Sequence, residues 1–406
     1  MGHKPNFHNK YYVLNRFMMP FENIRKILVI KLRQIGDVLL TVPALRALRE
    51  NFPRAHIAVL VNSGTEEALA GNPLIDEVIT YNRDIKKLNL WQRSRREVSF
   101  VGALRRQRFD LAIDLSSGDR AAIIAFLSGA IYRVGTNISK HGFRGKSRLY
   151  THFTYKDGSR HIVLQDYDVM SQLGFDTANF AVDFVIPPAA KLAVQQLLQR
   201  HFTENGIIVH LHPVSKWFFK CWQDESMAEV ITWLTQQGAK VVVTSAPESS
   251  ELQRTRHILS LAAGMGADPS RLLDLSGETT LPLLAAVSDA ADLFLGIDSA
   301  PMRLAAAVGT PVVALFGPSK THRWAPWPNR RLFESETELR QYYEDEGYYL
   351  GRNVVLQKDW ECIPCGMDGC EGTKQSKCLD EISVEKVKEI LRNFRTSNGK
   401  LLFKAA

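Results

Sequence analysis

Short apolar runs alternate with amphipathic stretches along most of the chain. KILVIKL (26–32), HIAVLV (56–61), EVITY (77–81), DLAIDL (110–115) and YRVG (132–135) read as short buried strands. Between them, DVLLTVPALRALRENF and DRAAIIAFLSGA place apolar side chains at helical spacing. Strand followed by helix, repeated, predicts a parallel sheet covered on both faces. Leu173-Gly174 marks a helix end, and Pro187-Pro188 precedes a new helix, AAKLAVQQLLQRHF, so a domain boundary is expected there.

The alternation then restarts. GIIVHLH (206–212), KVVVTSA (240–246), LLDLSG (272–277), DLFLGID (292–298) and PVVALFG (311–317) are the predicted strands. MAEVITWLTQQG, ESSELQRTRHILSLAAG, TLPLLAAVSDA and PMRLAAAVG are the predicted helices. The expected organisation is an arm over 1–23, one doubly wound α/β domain over 24–187 and a second over 188–380. The second ends in an irregular Cys-rich region over 320–380, and a C-terminal piece over 381–406 contains the helix SVEKVKEILRNF.

Length agrees with two domains, since 406 residues exceed one ordinary core. Composition is that of a water-exposed globular chain, 45% apolar and 23% charged. No apolar run approaches the roughly 20 residues a bilayer span requires. The first residues, MGHKPNFHNKYYVLNRFMMPFENIRK, are polar and aromatic and lack the apolar centre of a signal peptide, which points to a cytoplasmic protein. In that compartment its five cysteines are expected to be reduced unless they hold a metal.

Charge changes the picture more than composition does. The net +8 comes from 51 basic and 43 acidic residues, and the excess concentrates in Lys86–Arg108 and Arg133–Arg148. Such runs are either solvated faces or a surface for an anionic partner: phosphorylated lipid, membrane surface or nucleic acid.

In open parallel sheets, ligands bind beyond the carboxyl ends of strands. In the first half, KILVIKL leads into QIGDVLLT, where Gly36 permits close approach of another molecule. Asp37 either caps the helix or faces a substrate. The turn lacks the glycines of a dinucleotide fingerprint and is not a phosphate loop of the G-x-x-x-x-G-K-[ST] type. In the second half, GIDSAPMRLAAAVG offers Asp298 or Ser299 as cap, Pro301 in the first turn and Gly309 at the end. Helix N–H groups near Ser299 and Ala300 favour a phosphate, or simply a well-capped helix. HPVSKWFFKCW follows GIIVHLH and brings Lys216 and Lys220, either able to neutralise a phosphate. Two such turns on two sheets point to a cleft holding a nucleotide diphosphate on one side and an acceptor on the other.

These segments resemble glycosyltransferase family 9, the bacterial heptosyltransferases. The matching pieces are KILVIKLRQIGDVLLTVPALRALRENFP, HPVSKWFFKCW, LSGETTLPLLAAVSDAADLFLGIDSAPMRLAAAVGTPVVALFGPS and RWAPW. The resemblance implies a GT-B fold: two Rossmann-like domains facing a cleft, the first for acceptor and the second for ADP-heptose, with the C-terminal helix crossing back to the first. It implies inverting transfer of heptose from ADP-L-glycero-β-D-manno-heptose to the inner core of lipopolysaccharide, with a leaning toward heptosyltransferase III. Asp37 maps onto the family's general base, and Lys220 joins it as a catalytic candidate. The donor set maps onto Ser215, Lys220, Asp298, Ser299, Ala300 and Pro301, with Glu248 near ribose and Thr280 and Leu281 near adenine. Gly36, Arg144 and Lys146 are the acceptor-side expectations.

One residue departs from the family pattern: Arg303 stands where His is usual. Arginine cannot shuttle a proton but can clamp a phosphate. Asp166 to Asp168, DYD, mimics a metal-binding Asp-x-Asp, but residues two apart on a helix do not share a face, so a solvated helix and no catalytic metal are expected. Cys362, Cys365, Cys370 and Cys378 form C-x2-C-x4-C-x7-C, a possible structural metal site. The family often carries a similar stretch without a required metal, so reduced thiols packing a loop are expected, with Cys221 structural. No cofactor beyond the donor is implied. The implied partners are a phosphorylated lipid A-core acceptor and the inner leaflet of the inner membrane, where the enzyme would be peripheral, with no nucleic acid. The alternatives are a transferase of the same fold using another sugar nucleotide or a protein acceptor, and a non-catalytic module that binds anions or nucleic acid.

Overall fold

A computed structural model describes residues 21, 23–83, 89–136, 142–328, 349–350, 353–394 and 402–403. The predicted arm over 1–23 lies outside the described residues except for Phe21 and Asn23.

Six strands form the first sheet: β1 (Lys26–Lys31), β2 (His56–Asn62), β3 (Glu77–Tyr81), β4 (Leu111–Asp114), β5 (Tyr132–Thr136) and β6 (His152–Thr154). Their order is β3-β2-β1-β4-β5-β6, and every neighbouring pair is parallel. The second sheet holds β7 (Ile208–His212), β8 (Lys240–Val243), β9 (Leu272–Asp274), β10 (Leu293–Ile297), β11 (Val312–Leu315), β12 (Tyr349–Leu350) and β13 (Asn353–Leu356). Its order is β12-β13-β11-β10-β7-β8-β9, with only β12 antiparallel to its neighbour. β6 escapes the sequence pattern because HFT is too short to show alternation. β12 and β13 fall in the stretch expected to be irregular.

The apolar runs become strands because they are covered on both faces. Ile27, Leu28, Val29 and Ile30 of β1 are fully buried. Ile27 and Val29 face one core with α2 (Val42–Asn51), and Leu28 and Ile30 face another with α3 (Leu90–Arg106) and α4 (Asp119–Leu127). Each such aliphatic side chain contributes about 1.5–3 kcal/mol on burial. The predicted helix after β1 is two helices, α1 (Ile35–Leu39) and α2, broken at Leu40-Thr41.

The two domains share a core. Val38, Leu39 and Leu45 belong to the same buried cluster as Ala285 of α9 (Leu281–Ala290) and Met302 and Ala305 of α10 (Ala300–Ala307). The Leu281 N–H donates to Glu67 Oε2 across the boundary at 3.1 Å.

The C-terminal helix, Val384–Asn393, does not make the expected crossing to the first domain. Its Val387, Ile390 and Leu391 pack in the core of the second sheet, Lys388 pairs with Glu229 at 2.7 Å, and Trp222 Nε1 donates to Ile382 O at 3.1 Å. Its single apolar stripe is used up against α7 (Asp224–Gln236). The return to the first domain is made instead by the segment after α11 (Thr321–Trp324). Trp327 Nε1 donates to Phe180 O at 2.8 Å, and its ring lies 4.8 Å from that of His161.

A second expectation is corrected on α5 (Ile162–Ser171), which is buried rather than solvated. Asp166 is fully buried between Lys31 and Lys156, the latter at 2.7 Å, while Asp168 pairs with Arg160. Burial pushes the Asp166 carboxyl up, and the two lysines more than reverse this, so it is held below its usual range. The apparent Asp-x-Asp is an ion-pair lock between α5 and β1.

Candidate active site

Strand order reverses between β1 and β4 in the first sheet and between β7 and β10 in the second. At such switch points the loops diverge and leave a crevice beyond the strand ends. The loop after β1 leads straight into α1, whose first turn carries Gly36 and Asp37; the loop after β7 carries Ser215 to Lys220, and the loop after β10 carries Asp298 and Ser299.

Asp37 is not a cap. α1 begins at Ile35 behind Gln34, and Asp37 lies at the third helical position, half-buried. The Asp37 carboxylate is felt by Arg323 of α11: burial pulls that guanidinium below its ordinary range, and Asp37 opposes the pull. Arg323 also lies over the Trp324 ring at 5.3 Å. Sequence reasoning missed Arg323, although RWAPW contains it.

In the second domain, Asp298 is buried and gathers two cations. Lys220 Nζ lies 2.6 Å from its Oδ2, and Arg303 Nη2 donates to its Oδ1 at 2.8 Å. Burial pushes the Asp298 carboxyl up, and Arg303 and Lys220 more than reverse this, with a hydrogen bond from Ser319 helping. Arg303 is further held against the Trp324 ring at 4.9 Å. Ser299 is the N-cap of α10, yet its side chain makes no cap bond; its Oγ is buried and has no hydrogen-bond partner among the described residues. Ala300 and Pro301 open the helix behind it. An unpaired buried hydroxyl, helix N–H groups, a lysine ammonium and an arginine guanidinium form a surface for a diphosphate.

The other expected donor residues are placed less centrally. Ser215 Oγ bonds to Trp217 O at 3.1 Å, and the Ser215 N–H donates to Cys221 Sγ at 3.3 Å, so Cys221 fastens the Lys220 loop. Glu248 is exposed at the start of α8 (Ser249–Gly264). Thr280 caps α9 through the Leu283 N–H at 3.5 Å, and Leu281 is engaged by Glu67.

On the acceptor side, Lys146 Nζ donates to Ser117 O at 2.8 Å and lies 3.3 Å from Asp119, while Arg144 is exposed. Beside them is a cavity of about 220 Å³ at the first switch point, lined by Arg33, Arg83 and Arg120 together with Asn62, Tyr81 and Asp119. Arg120 is fixed by Glu97 at 2.9 Å, and Arg33 donates to Ser116 O at 2.7 Å. These three arginines come from three separated segments, so no local motif announces them. A larger hollow, about 600 Å³, lies by Ile208 and Lys240 at the amino ends of β7 and β8, opposite the ends where such sheets bind ligands.

Cys378 is buried, Cys370 half-buried, and Cys362 and Cys365 exposed. Burial, with Cys370 and Cys365 nearby, pushes the Cys378 thiol up to about 11. Among the described residues, no three or more His, Cys, Asp or Glu side chains are gathered as a metal site.

The sequence matches the model of glycosyltransferase family 9 (heptosyltransferase) over residues 98–342. It is 31% identical over 301 residues to lipopolysaccharide heptosyltransferase 3 of Escherichia coli strain K12, spanning 73% of this chain and 83% of that one. The chain belongs to glycosyltransferase family 9. Its fold agrees. A family 9 glycosyltransferase from Veillonella parvula superposes with a TM-score of 0.69 at 24% identity, covering 90% of this chain and 95% of that one. An E. coli heptosyltransferase solved with ADP-2-deoxy-2-fluoro heptose gives 0.63 at 18% identity, covering 90% and 98%. The doubly wound domains are therefore those of a GT-B glycosyltransferase.

Proposed function

We propose that this enzyme transfers heptose from ADP-heptose to the inner core of lipopolysaccharide, in the manner of heptosyltransferase III. The observation that carries the reading is the packing of α1, which bears Asp37, against α10, which bears Arg303 of the Lys220–Asp298–Arg303 cluster. A carboxylate on one wall and cations on the other are what inverting sugar transfer needs.

In this reading Asp37 takes the proton from the acceptor hydroxyl as it attacks the anomeric carbon. Lys220, the Ser299 hydroxyl and the first N–H groups of α10 bear the charge that grows on the departing ADP, the task a metal performs in other transferases. Arg303 contributes charge rather than a proton and is held ready by Asp298. Ser215 and Pro301 shape the phosphate end, and Glu248, Thr280 and Leu281 lie toward the nucleoside. Gly36, Arg144, Lys146 and the arginine-lined cavity take the acceptor, whose phosphates and acidic sugars supply the matching charge. Such an acceptor is lipid-linked, so the enzyme works at the inner face of the inner membrane. Among the described residues no helix is long and apolar enough to cross a membrane.

The test is turnover by the purified protein with ADP-heptose and with ADP- and UDP-hexoses, using core oligosaccharide that lacks one heptose. Addition of a single heptose to the product mass from ADP-heptose alone is the expected outcome. Transfer from a different sugar nucleotide, or to protein, would replace the proposal.

A further inference from the structure

The first domain exposes an apolar surface where its charge is most basic. Helix α3 and helix α4 lie side by side over one face of the first sheet, with Leu104, Ala121, Ala122 and Ala125 turned into the core. Their outer sides are not polar. Leu90, Trp91 and Val98 of α3 are 81%, 71% and 72% exposed, and Ile123, Phe126 and Ile131 on and after α4 are 42%, 47% and 67% exposed.

Spacing makes this a surface rather than a scatter. Trp91, Arg95, Val98, Gly102 and Arg105 follow one another at four- and three-residue steps and so form one stripe along α3. Arginines are interleaved with the apolar groups. Arg95 lies over the Trp91 ring at 5.7 Å and Arg133 over the Phe126 ring at 5.6 Å, while Arg105 reaches the turn at Gly129 beside Ile131. The one carboxylate of α3, Glu97, is turned away and held by Tyr81 at 2.7 Å and Arg120 at 2.9 Å. The outward face therefore carries Arg95, Arg96, Arg105 and Arg106 without an acid among them.

We infer that the α3–α4 face seats the protein on a bilayer rich in anionic phospholipid. Tryptophan and aliphatic side chains enter the headgroup region, and arginines extend their charge to phosphates while their stems stay in the apolar layer. A groove for a peptide or helix is not needed, and the convex pair of helices offers a broad surface suited to a membrane. Placement also fits. α3 follows β3, so its first turn, with Leu90 and Trp91, lies toward the carboxyl end of the sheet, and Glu97 of the same helix accepts hydrogen bonds from Tyr81 and Arg120 of the cavity wall. A bilayer against this face would present a lipid-linked anionic sugar to the cleft. That last step rests on the proposed lipopolysaccharide acceptor; the docking itself does not.

The experiment is co-sedimentation of the full chain with vesicles of phosphatidylethanolamine and phosphatidylglycerol, compared with vesicles of phosphatidylcholine alone. Binding to the anionic vesicles, weakened by salt, is expected. The triple variant Arg95→Glu, Arg96→Glu, Arg105→Glu should lose on the order of 100-fold in partitioning, since each basic residue near such a surface is worth a factor of about five. Trp91→Ser with Val98→Ser should lose it too, while Leu192→Ser, an exposed leucine on α6 (Pro188–His201) of the second domain, should not. All these variants should keep turnover on delipidated core oligosaccharide, which shows that they fold. Retained vesicle binding in the variants, equal binding to both vesicle types, or salt-sensitive binding to duplex DNA without vesicle binding would overturn the inference. Vesicle binding without heptose transfer would overturn the proposed reaction and leave the docking face standing.

Discussion

Gly36 and Arg303 belong to different domains, and a β-carbon placed on Gly36 would come 3.0 Å from Arg303 Nη1 and 3.4 Å from the Ala300 β-carbon. The glycine is therefore required by the approach of α1 to α10 rather than by its own backbone angles. Gly36→Ala sets a helix-favouring residue against a crowded neighbour. Because Arg303 Nη1 is the far end of a flexible chain, the fold should adapt, and thermal stability should change by no more than about 1 kcal/mol. Turnover should nevertheless fall by about 10- to 100-fold, as displacement of a positioned group commonly does. Steady-state kinetics beside a melting curve separates the two effects; unchanged turnover would detach this contact from catalysis.

Asp37 offers the most direct test of the proposed chemistry. It lies in the first turn of α1 without capping it, so removing the carboxylate takes away no helix bond. Asp37→Ala should keep donor binding, measured by calorimetry with ADP, and lose about 100- to 10,000-fold in kcat. A near-normal rate would reassign the base.

The parallel sheets, their strand order apart, and the two loops at their carboxyl ends were legible because period and punctuation are local signals. KILVIKL buries both faces and a helix opens within a few residues of its end, and GIDSAP likewise ends a strand and opens a helix. What could not be read depends on contacts distant in sequence. Asp298 gathers Lys220 from 78 positions away, and Lys31 meets Asp166 across 135. The exposed charge expected of α5 turned out to be a buried lock because the lysines that neutralise it lie on other elements. The C-terminal helix likewise shows its apolar stripe in sequence but not which sheet that stripe covers.

Lys220 is the cation of the second-domain cluster best placed to do two tasks. Its ammonium neutralises Asp298 in the free enzyme and can turn to a phosphate when donor arrives. Lys220→Ala should weaken ADP binding and slow turnover together, each by about tenfold or more, the size of one charge-assisted hydrogen bond. A change confined to KM would mean that Lys220 binds the donor equally in ground and transition states.

Asp166 should matter for folding and not for metal. Asp166→Asn leaves Lys31 and Lys156 without a carboxylate in a buried position, and breaking such a pair costs about 3–5 kcal/mol. Urea unfolding should show this loss in the midpoint. Turnover per folded molecule should be insensitive to a chelator in both forms; metal-dependent rescue of the variant would restore the Asp-x-Asp reading.

Three buried histidines predict how stability responds to acid. Burial holds His161 down to about 3 and His212 down to about 4, and puts His210 well below its ordinary value. His161 Nε2 lies 3.1 Å from Ala325 O, and His210 Nε2 and His212 Nδ1 lie 2.8 and 2.9 Å from Thr244 Oγ1, in buried positions that favour the neutral ring. In the unfolded chain the same rings take a proton near pH 6.5. The unfolded state therefore binds more protons as the pH falls below about 6.5, and stability is full above that point and declines beneath it. By pH 5 each ring should account for about 2 kcal/mol of lost stability, because the folded form is still unprotonated there. Urea unfolding midpoints measured between pH 7.5 and 5 should fall accordingly, and His161→Gln should shallow the slope by about one proton's worth. A midpoint that stays level over that range would mean that these rings are charged in the folded protein.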